Sequence, residues 1–193
     1  MAKATKSEKP AKASKSTKAE KSAAKSTAKA FSQDAPNPTR NDLDPSIRKQ
    51  MVNLLNQQLA DTADLFSQVK QAHWNVKGAQ FIALHKLFDE LAGDLVGTTD
   101  DLAERAVQLG GNALGTVRMA AGATRLPEFP ADAVGSIAAV TLLADRYAAL
   151  AGSTREAIDA ADSAGDADTA DLFTEVSRML DKALWFLEAH LQE

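Results

Sequence analysis

The 193-residue chain contains no cysteine, which excludes disulfide frameworks, thiolate metal sites and cysteine nucleophiles. It also lacks any apolar run close to the roughly 18 residues that a membrane span requires. Its first residues lack the hydrophobic core of a secretory signal, and no arginine precedes Arg40, which argues against an arginine-rich transit peptide. We therefore expect a cytosolic protein that does not bind membranes.

The net charge of −4 conceals two segments of opposite sign. Residues 1–30 are almost entirely Ala, Lys, Ser and Thr, and they hold nine lysines against two glutamates. The rest of the chain is acidic, with 13 basic and 24 acidic side chains. Because the basic segment cannot bury enough apolar surface to offset the entropy of ordering, we predict a disordered tail over residues 1–40 and a folded domain over residues 41–193.

The basic tail has two interpretations. It is either a solvated linker that aids solubility or an arm that binds DNA by neutralising phosphates. Such an arm would not read sequence, because it has neither aromatic side chains to stack on bases nor arginine forks for guanine. In an oligomer, many weak arms would act together. The candidate DNA-binding residues are Lys3, Lys6, Lys9, Lys12, Lys15, Lys18, Lys21, Lys25 and Lys29.

The acidic part of the chain has the apolar periodicity of four long helices. We predict them over residues 45–76, 79–109, 134–164, and from 166 or 168 to the C-terminus. A loop over residues 112–130 separates the second helix from the third, with a short helix expected around residues 117–123. Two helical hairpins joined by one long crossover predict an all-α, ferritin-like four-helix bundle.

Local signals mark the ends of these helices. Asp44 is a suitable N-cap residue for the first helix, and Pro45 suits the first helical position. Gly110 and Gly165 follow the second and third helices, where a left-handed residue commonly ends a helix. Asp166 or Asp168 is expected to cap the last helix.

Four residues with metal-ligand side chains lie away from the apolar stripe of the second helix. Taking Leu84 as the origin and about 100° per residue, we place them on an arc near 100–200°, beside small or apolar residues that suit close packing against a partner. The polar, solvent-facing side of the helix lies elsewhere. Both the apolar stripe and the arc that carries these four residues are therefore predicted to be buried. The four residues are His85, Asp89, Asp100 and Glu104.

The spacing of these residues calls for two chains. Asp89 and Asp100 are eleven residues apart, or about 16 Å along a helix, whereas metal–ligand bonds are about 2.0–2.2 Å long. Antiparallel packing of this helix on a second copy would bring the two halves together and make two identical sites. His73 lies at the same height as His85 and can join it. Imidazole and carboxylate ligands suit iron, manganese or zinc, although buried His–carboxylate pairs without metal would give the same pattern.

Trp74 and Trp185 fall on apolar helical positions, for which core packing is the usual explanation. Trp74 directly follows His73, however, and could also serve as an electron donor that quenches oxidising equivalents beside the metal site.

Residues 71–111 resemble the signature of the Dps family, the ferritin-like DNA-binding proteins of starved bacterial cells, and residues 168–188 resemble that family's last helix. The resemblance implies a homo-dodecamer in the bacterial cytoplasm, associated with the nucleoid. It implies an enzyme, a ferroxidase that oxidises Fe(II), preferably with H2O2, and stores the iron. Zinc or manganese could occupy the same iron site. The ligands it implies are His73, His85 and Asp89 from one subunit, and Asp100 and Glu104 from its partner.

The resemblance also suggests iron-entry pores at a three-fold axis, lined by acidic residues between the last two helices. These residues would equally be typical of a solvated helix start, where acids interact favourably with the helix dipole. The candidates are Asp159, Asp162, Asp166, Asp168 and Asp171. An alternative function is a structural protein that compacts the nucleoid and uses the interface metal only for stability. An ordinary 24-subunit ferritin is disfavoured, because it would place its ligands inside one bundle.

Overall fold

The computed structural model describes residues 37–192, and these form five α-helices. The helices are α1 (Pro45–Asn75), α2 (Phe81–Gln108), α3 (Val117–Ala123), α4 (Ser136–Ala164) and α5 (Ala167–Glu188). Helix α1 packs along α2, and α4 packs along α5, so the bundle consists of two hairpins. The long crossover between the hairpins carries the short helix α3. The predicted all-α bundle with one long crossover is confirmed.

The helix ends follow the local signals in the sequence. The Asp44 side chain accepts a 2.7 Å hydrogen bond from the Ser46 backbone N–H, and this capping contact lowers the pKa of Asp44. Gly165 follows α4 with a φ of +81°, in the left-handed region that favours glycine. Asp166 then caps α5. The last helix ends at Glu188, whereas it was predicted to continue to the C-terminus.

The apolar faces of the four long helices form the core, and the crossover is fixed to its outside. Asp61 on α1 is buried and accepts hydrogen bonds from both the backbone and the guanidinium group of Arg125, at 2.7 and 2.8 Å. This buried, charge-assisted contact holds the crossover against α1. None of the helices described is long and apolar enough to cross a membrane.

The core-packing prediction for the two tryptophans is wrong. Trp74 is 67% exposed and Trp185 is 64% exposed. Both lie on the flanks of their helices, beside residues such as His73 and Leu187 that do face the interior. An apolar position on a helix can mark a contact surface between chains as well as the core of one chain.

The predicted basic tail, with its nine lysines, lies outside the described residues except for residues 37–40. The backbone N–H of Asn37 donates to the carbonyl oxygen of Gly110, and its side chain donates to Asn112 Oδ1 at 3.2 Å. Residue 37 therefore already contacts the end of α2. The domain boundary at residue 41 stays a prediction.

Candidate metal centre

His73 and His85 lie together where α1 ends and α2 begins. Their rings are stacked, with centroids 3.8 Å apart and planes inclined by 18°. The Nδ1 atom of His73 lies 2.7 Å from the carbonyl oxygen of His85, and Nδ1 of His85 lies 2.9 Å from the carbonyl oxygen of His73. The predicted proximity of the two residues is confirmed.

The reciprocal hydrogen bonds fix the tautomers of both rings. A carbonyl oxygen only accepts, so each Nδ1 must carry the proton and donate it. In the neutral form of each ring, the lone pair is then on Nε2, the atom left to bind a metal. Proteins commonly orient metal-binding histidines by such a bond from the other ring nitrogen. The two imidazoles are therefore set up as ligands by backbone geometry alone.

Asp89 lies one helical turn beyond His85, on the same side of α2. Its Oδ1 atom is 3.9 Å from Nε2 of His73 and 2.7 Å from Nζ of Lys70. The hydrogen bond from Lys70, and then the charge of its ammonium group, lower the pKa of Asp89. Asp89 is thus an ionised carboxylate close to Nε2 of His73. We call His73, His85 and Asp89 the histidine half-site.

Lys70 was missed by the reasoning from sequence. Lys70 is three residues before His73, so the two side chains lie on the same face of α1. This spacing could have indicated that Lys70 lies near the site. Its pairing with Asp89, however, joins two helices and depends on how α1 and α2 rotate against each other.

Asp100 and Glu104 lie apart from the histidine half-site within one chain. Both are exposed side chains on α2, about 16 Å or more further along the helix axis at 1.5 Å per residue. Within residues 37–192 of a single chain, no three His, Asp or Glu side chains are grouped so as to hold a metal ion. We call these two residues the carboxylate half-site.

The surface of α2 around both half-sites is apolar and open. Ile82, Val96 and Val107 are 59%, 52% and 56% exposed. A methyl group added at Gly93 or Gly97 would contact nothing within 4 Å, so another backbone could approach closely there. An apolar groove of about 490 Å³ includes Asp100 together with residues from α1, α2 and the crossover. In the described part of one chain, this face of α2 has no covering element.

Trp74 is the exposed aromatic side chain nearest to His73 in sequence. Nζ of Lys70 lies 5.9 Å from the centroid of its ring, within the range of a cation–π contact. The ammonium group of Lys70 is therefore close to both the Trp74 ring and the Asp89 carboxylate.

The acidic residues around the junction of α4 and α5 do not all share one environment. Asp166 is 2% exposed, caps Thr169 and accepts a 2.7 Å hydrogen bond from Arg105 of α2. This buried contact makes Asp166 a structural residue, so the prediction that it lines a pore is wrong. Four others are exposed and remain candidates for a pore: Asp159, Asp162, Asp168 and Asp171.

Comparison with known proteins shows the class of protein to which this helical bundle belongs. Residues 52–193 match the ferritin family, described as the ferritin-like domain. In structure, the chain is similar to the Dps protein from Vibrio cholerae O1, with a TM-score of 0.76 and 26% identity over 83% of this chain and all of that one. That protein is described as a member of a broad superfamily of ferritin-like diiron-carboxylate proteins. The bundle is thus a ferritin-like domain.

Closer relatives identify the family. The DNA protection during starvation protein of Agrobacterium fabrum is 47% identical over 155 residues, which are 80% of this chain and 96% of that protein. The protein of the same name from Brevibacillus brevis is 34% identical over 76% of this chain and 98% of its own length. DpsC from Streptomyces coelicolor has a TM-score of 0.78 and 32% identity, over 82% of this chain and 93% of that one. The chain belongs to the Dps family.

Proposed function

We propose that the protein is a ferroxidase and iron store that assembles as a homo-dodecamer and oxidises Fe(II) at sites shared between two chains. The observation that supports this most directly is the histidine half-site, in which two stacked imidazoles donate through Nδ1 to backbone carbonyls and Nε2 of His73 lies 3.9 Å from an ionised carboxylate. The open apolar face of α2 gives a second copy a surface to cover. Antiparallel packing of α2 on its copy would add Asp100 and Glu104 of the second chain.

The five ligands suit iron. Two neutral imidazoles and three carboxylates provide nitrogen and oxygen atoms without sulfur, a set that also accepts zinc or manganese at the same site. The carboxylates balance the charge of iron as it rises from Fe(II) to Fe(III), while the imidazoles hold it in place. Trp74, next to His73, supplies an electron to any oxidising equivalent that leaves the site.

The proposed oxidant is H2O2. Two Fe(II) ions each give up one electron, the O–O bond of peroxide breaks, and two protons complete two water molecules. The Fe(III) product is stored inside the assembly, and Fe(II) enters through three-fold pores lined by Asp159, Asp162, Asp168 and Asp171. Consuming Fe(II) and peroxide together removes both reactants that would otherwise damage DNA.

We further propose that the nine tail lysines bind DNA without sequence preference, which would associate the protein with the nucleoid in the bacterial cytoplasm. Phosphate neutralisation by lysine is sequence-independent and weakens steeply with salt. Deletion of residues 2–30 should therefore abolish most DNA binding and flatten its dependence on salt. Unchanged affinity and salt slope in the deleted protein would contradict the proposal for the tail, but would leave the oxidation chemistry untouched.

The ferroxidase proposal is tested by anaerobic oxidation of Fe(II) by the full chain, with and without stoichiometric H2O2. We expect rapid peroxide-dependent oxidation, with the iron retained in a particle of about twelve subunits. Asp100→Ala should lose the fast phase while still assembling. If wild-type oxidation does not exceed the buffer blank, the five ligands are interface residues, and compaction of DNA becomes the function that the sequence supports.

A further inference from the structure

One carboxylate oxygen of the histidine half-site already has a cation on it. Asp89 Oδ1 accepts a 2.7 Å ion-pair hydrogen bond from Lys70. The same oxygen faces Nε2 of His73 at 3.9 Å. An ion with bonds of about 2.0–2.2 Å to each of these two atoms would fit between them, because the two bonds together span slightly more than that separation. The metal and the lysine therefore compete for one oxygen atom.

We infer that Lys70 is a placeholder cation, a positioning residue that neutralises Asp89 in the metal-free protein and is displaced when a divalent ion binds. This inference rests on the proposed function. If both cations stayed on Oδ1, they would lie within about 5 Å of each other and repel. Loading of the histidine half-site is then an exchange of Lys70 for metal, and its affinity is lower than the ligands alone would give.

The structure also gives the displaced ammonium group a place to go. The Lys70 side chain is only 21% exposed, so its stem is packed and its charged end is tethered near the site. The ring of Trp74 lies 5.9 Å from Nζ, which is already within the range of a cation–π contact. Rotation of the terminal bonds toward this ring would break the ion pair and leave the ammonium group on the cation–π contact alone. The fluorescence of Trp74 should therefore report the displacement.

Equilibrium binding of Zn(II) to the assembled full-length protein tests the inference without any redox chemistry. Lys70→Met keeps the packed stem and removes the charge. Since the ion pair is partly exposed, through Asp89, both it and the repulsion are modest, and we expect about three- to tenfold tighter binding in competition with a chromophoric chelator. The gain should shrink as KCl rises, because exposed charges are screened. Asp89→Asn, which removes the contested carboxylate, identifies the site being titrated.

Two variants serve as controls. Lys49→Met removes the same charge from the same helix, 21 residues and about 32 Å from Lys70, and should leave the affinity unchanged. Lys70→Arg keeps a cation at the position and should show no gain. In a Trp185→Phe background, Trp74 is the remaining tryptophan. Its emission should change on Zn(II) binding when Lys70 is present and should change far less in Lys70→Met.

The outcomes separate the inference from the proposed function. If the wild-type protein binds no Zn(II), or if Asp89→Asn binds as much Zn(II) as the wild-type protein does, the metal site itself is refuted. If the wild-type protein binds at that site, but Lys70→Met binds equally or more weakly, only the placeholder role is overturned. Weaker binding would mean that Lys70 holds Asp89 in place for the metal.

Discussion

Mixing two inactive variants tests whether the oxidation site is shared between chains. Asp89→Asn disables the histidine half-site, and Asp100→Asn disables the carboxylate half-site. Both side chains are exposed and the replacement is isosteric, so folding should be unaffected. Each variant alone should oxidise Fe(II) slowly, because every site in it lacks one carboxylate.

The expected recovery follows from the geometry. The two half-sites of one chain are about 16 Å apart along α2, so under the proposed function each site takes one half from each of two chains. When the variants assemble at random in equal amounts, about half of the two-fold pairs contain one chain of each kind. Each such pair has one intact site and one doubly altered site. About a quarter of all sites, and about a quarter of wild-type activity, should therefore return.

The assay is the initial rate of anaerobic Fe(II) oxidation with H2O2, measured on co-expressed chains carrying different affinity tags. Purification through both tags in sequence selects mixed assemblies. Variants mixed after separate assembly provide the matched control and should show no recovery. If the mixed assemblies, confirmed by mass, stay as slow as the single variants, the site is not shared between chains, and our assignment of Asp100 to the partner is wrong.

Three further predictions concern stability. Gly111→Ala would place its Cβ against both methyl groups of buried Val52, and overpacking of this kind should lower the free energy of unfolding by about 1–3 kcal/mol, as measured by thermal unfolding. An unchanged melting temperature would show that α1 moves aside without cost. Asp166→Ala should cost about 3–5 kcal/mol, because it removes the buried carboxylate that pairs with Arg105 Nη2 and also removes the cap of α5. Asp166→Asn should cost less, and equal losses would contradict the importance of the charge. The pKa of Asp44 is lowered by its capping bonds, so the stability that this carboxylate contributes is present above its ordinary pKa of 3.8 and is lost as the pH falls through the lower folded-state pKa. The difference in melting temperature between wild type and Asp44→Asn should therefore vanish in that acidic range, and a difference that persists there would exclude the carboxylate charge as its source.

The features that could be predicted from sequence are those encoded over short distances. Asp44 and Gly165 mark helix ends through capping and a left-handed turn, which involve only neighbouring residues. The i, i+4 spacing of His85 and Asp89 put them on one face, and the short turn before α2 put His73 beside them. The first of these positions follows from helical geometry, and the second follows from the shortness of the turn.

The features that could not be predicted depend on packing between helices. Whether Lys70 reaches Asp89 depends on how α1 is rotated against α2. The apolar periodicity of either helix does not reveal this rotation. Asp166 is buried because Arg105 reaches it from α2, 61 residues away in sequence. The exposure of Trp74 was missed because apolar periodicity does not distinguish the core of one chain from a surface between chains.

A chain that carries two halves of a site on one helix makes its chemistry depend on assembly. Under the proposed function, a single chain cannot complete an iron site, since its own half-sites are about 16 Å apart. In that chain Lys70 already neutralises Asp89, so the carboxylate contributes little to the affinity of the half-site for a metal ion. Pairing of two α2 helices would add two carboxylates to Asp89, giving three beside the two imidazoles, and would shift the competition toward metal. Oxidation of iron would then begin only where an assembled shell is present to store the product.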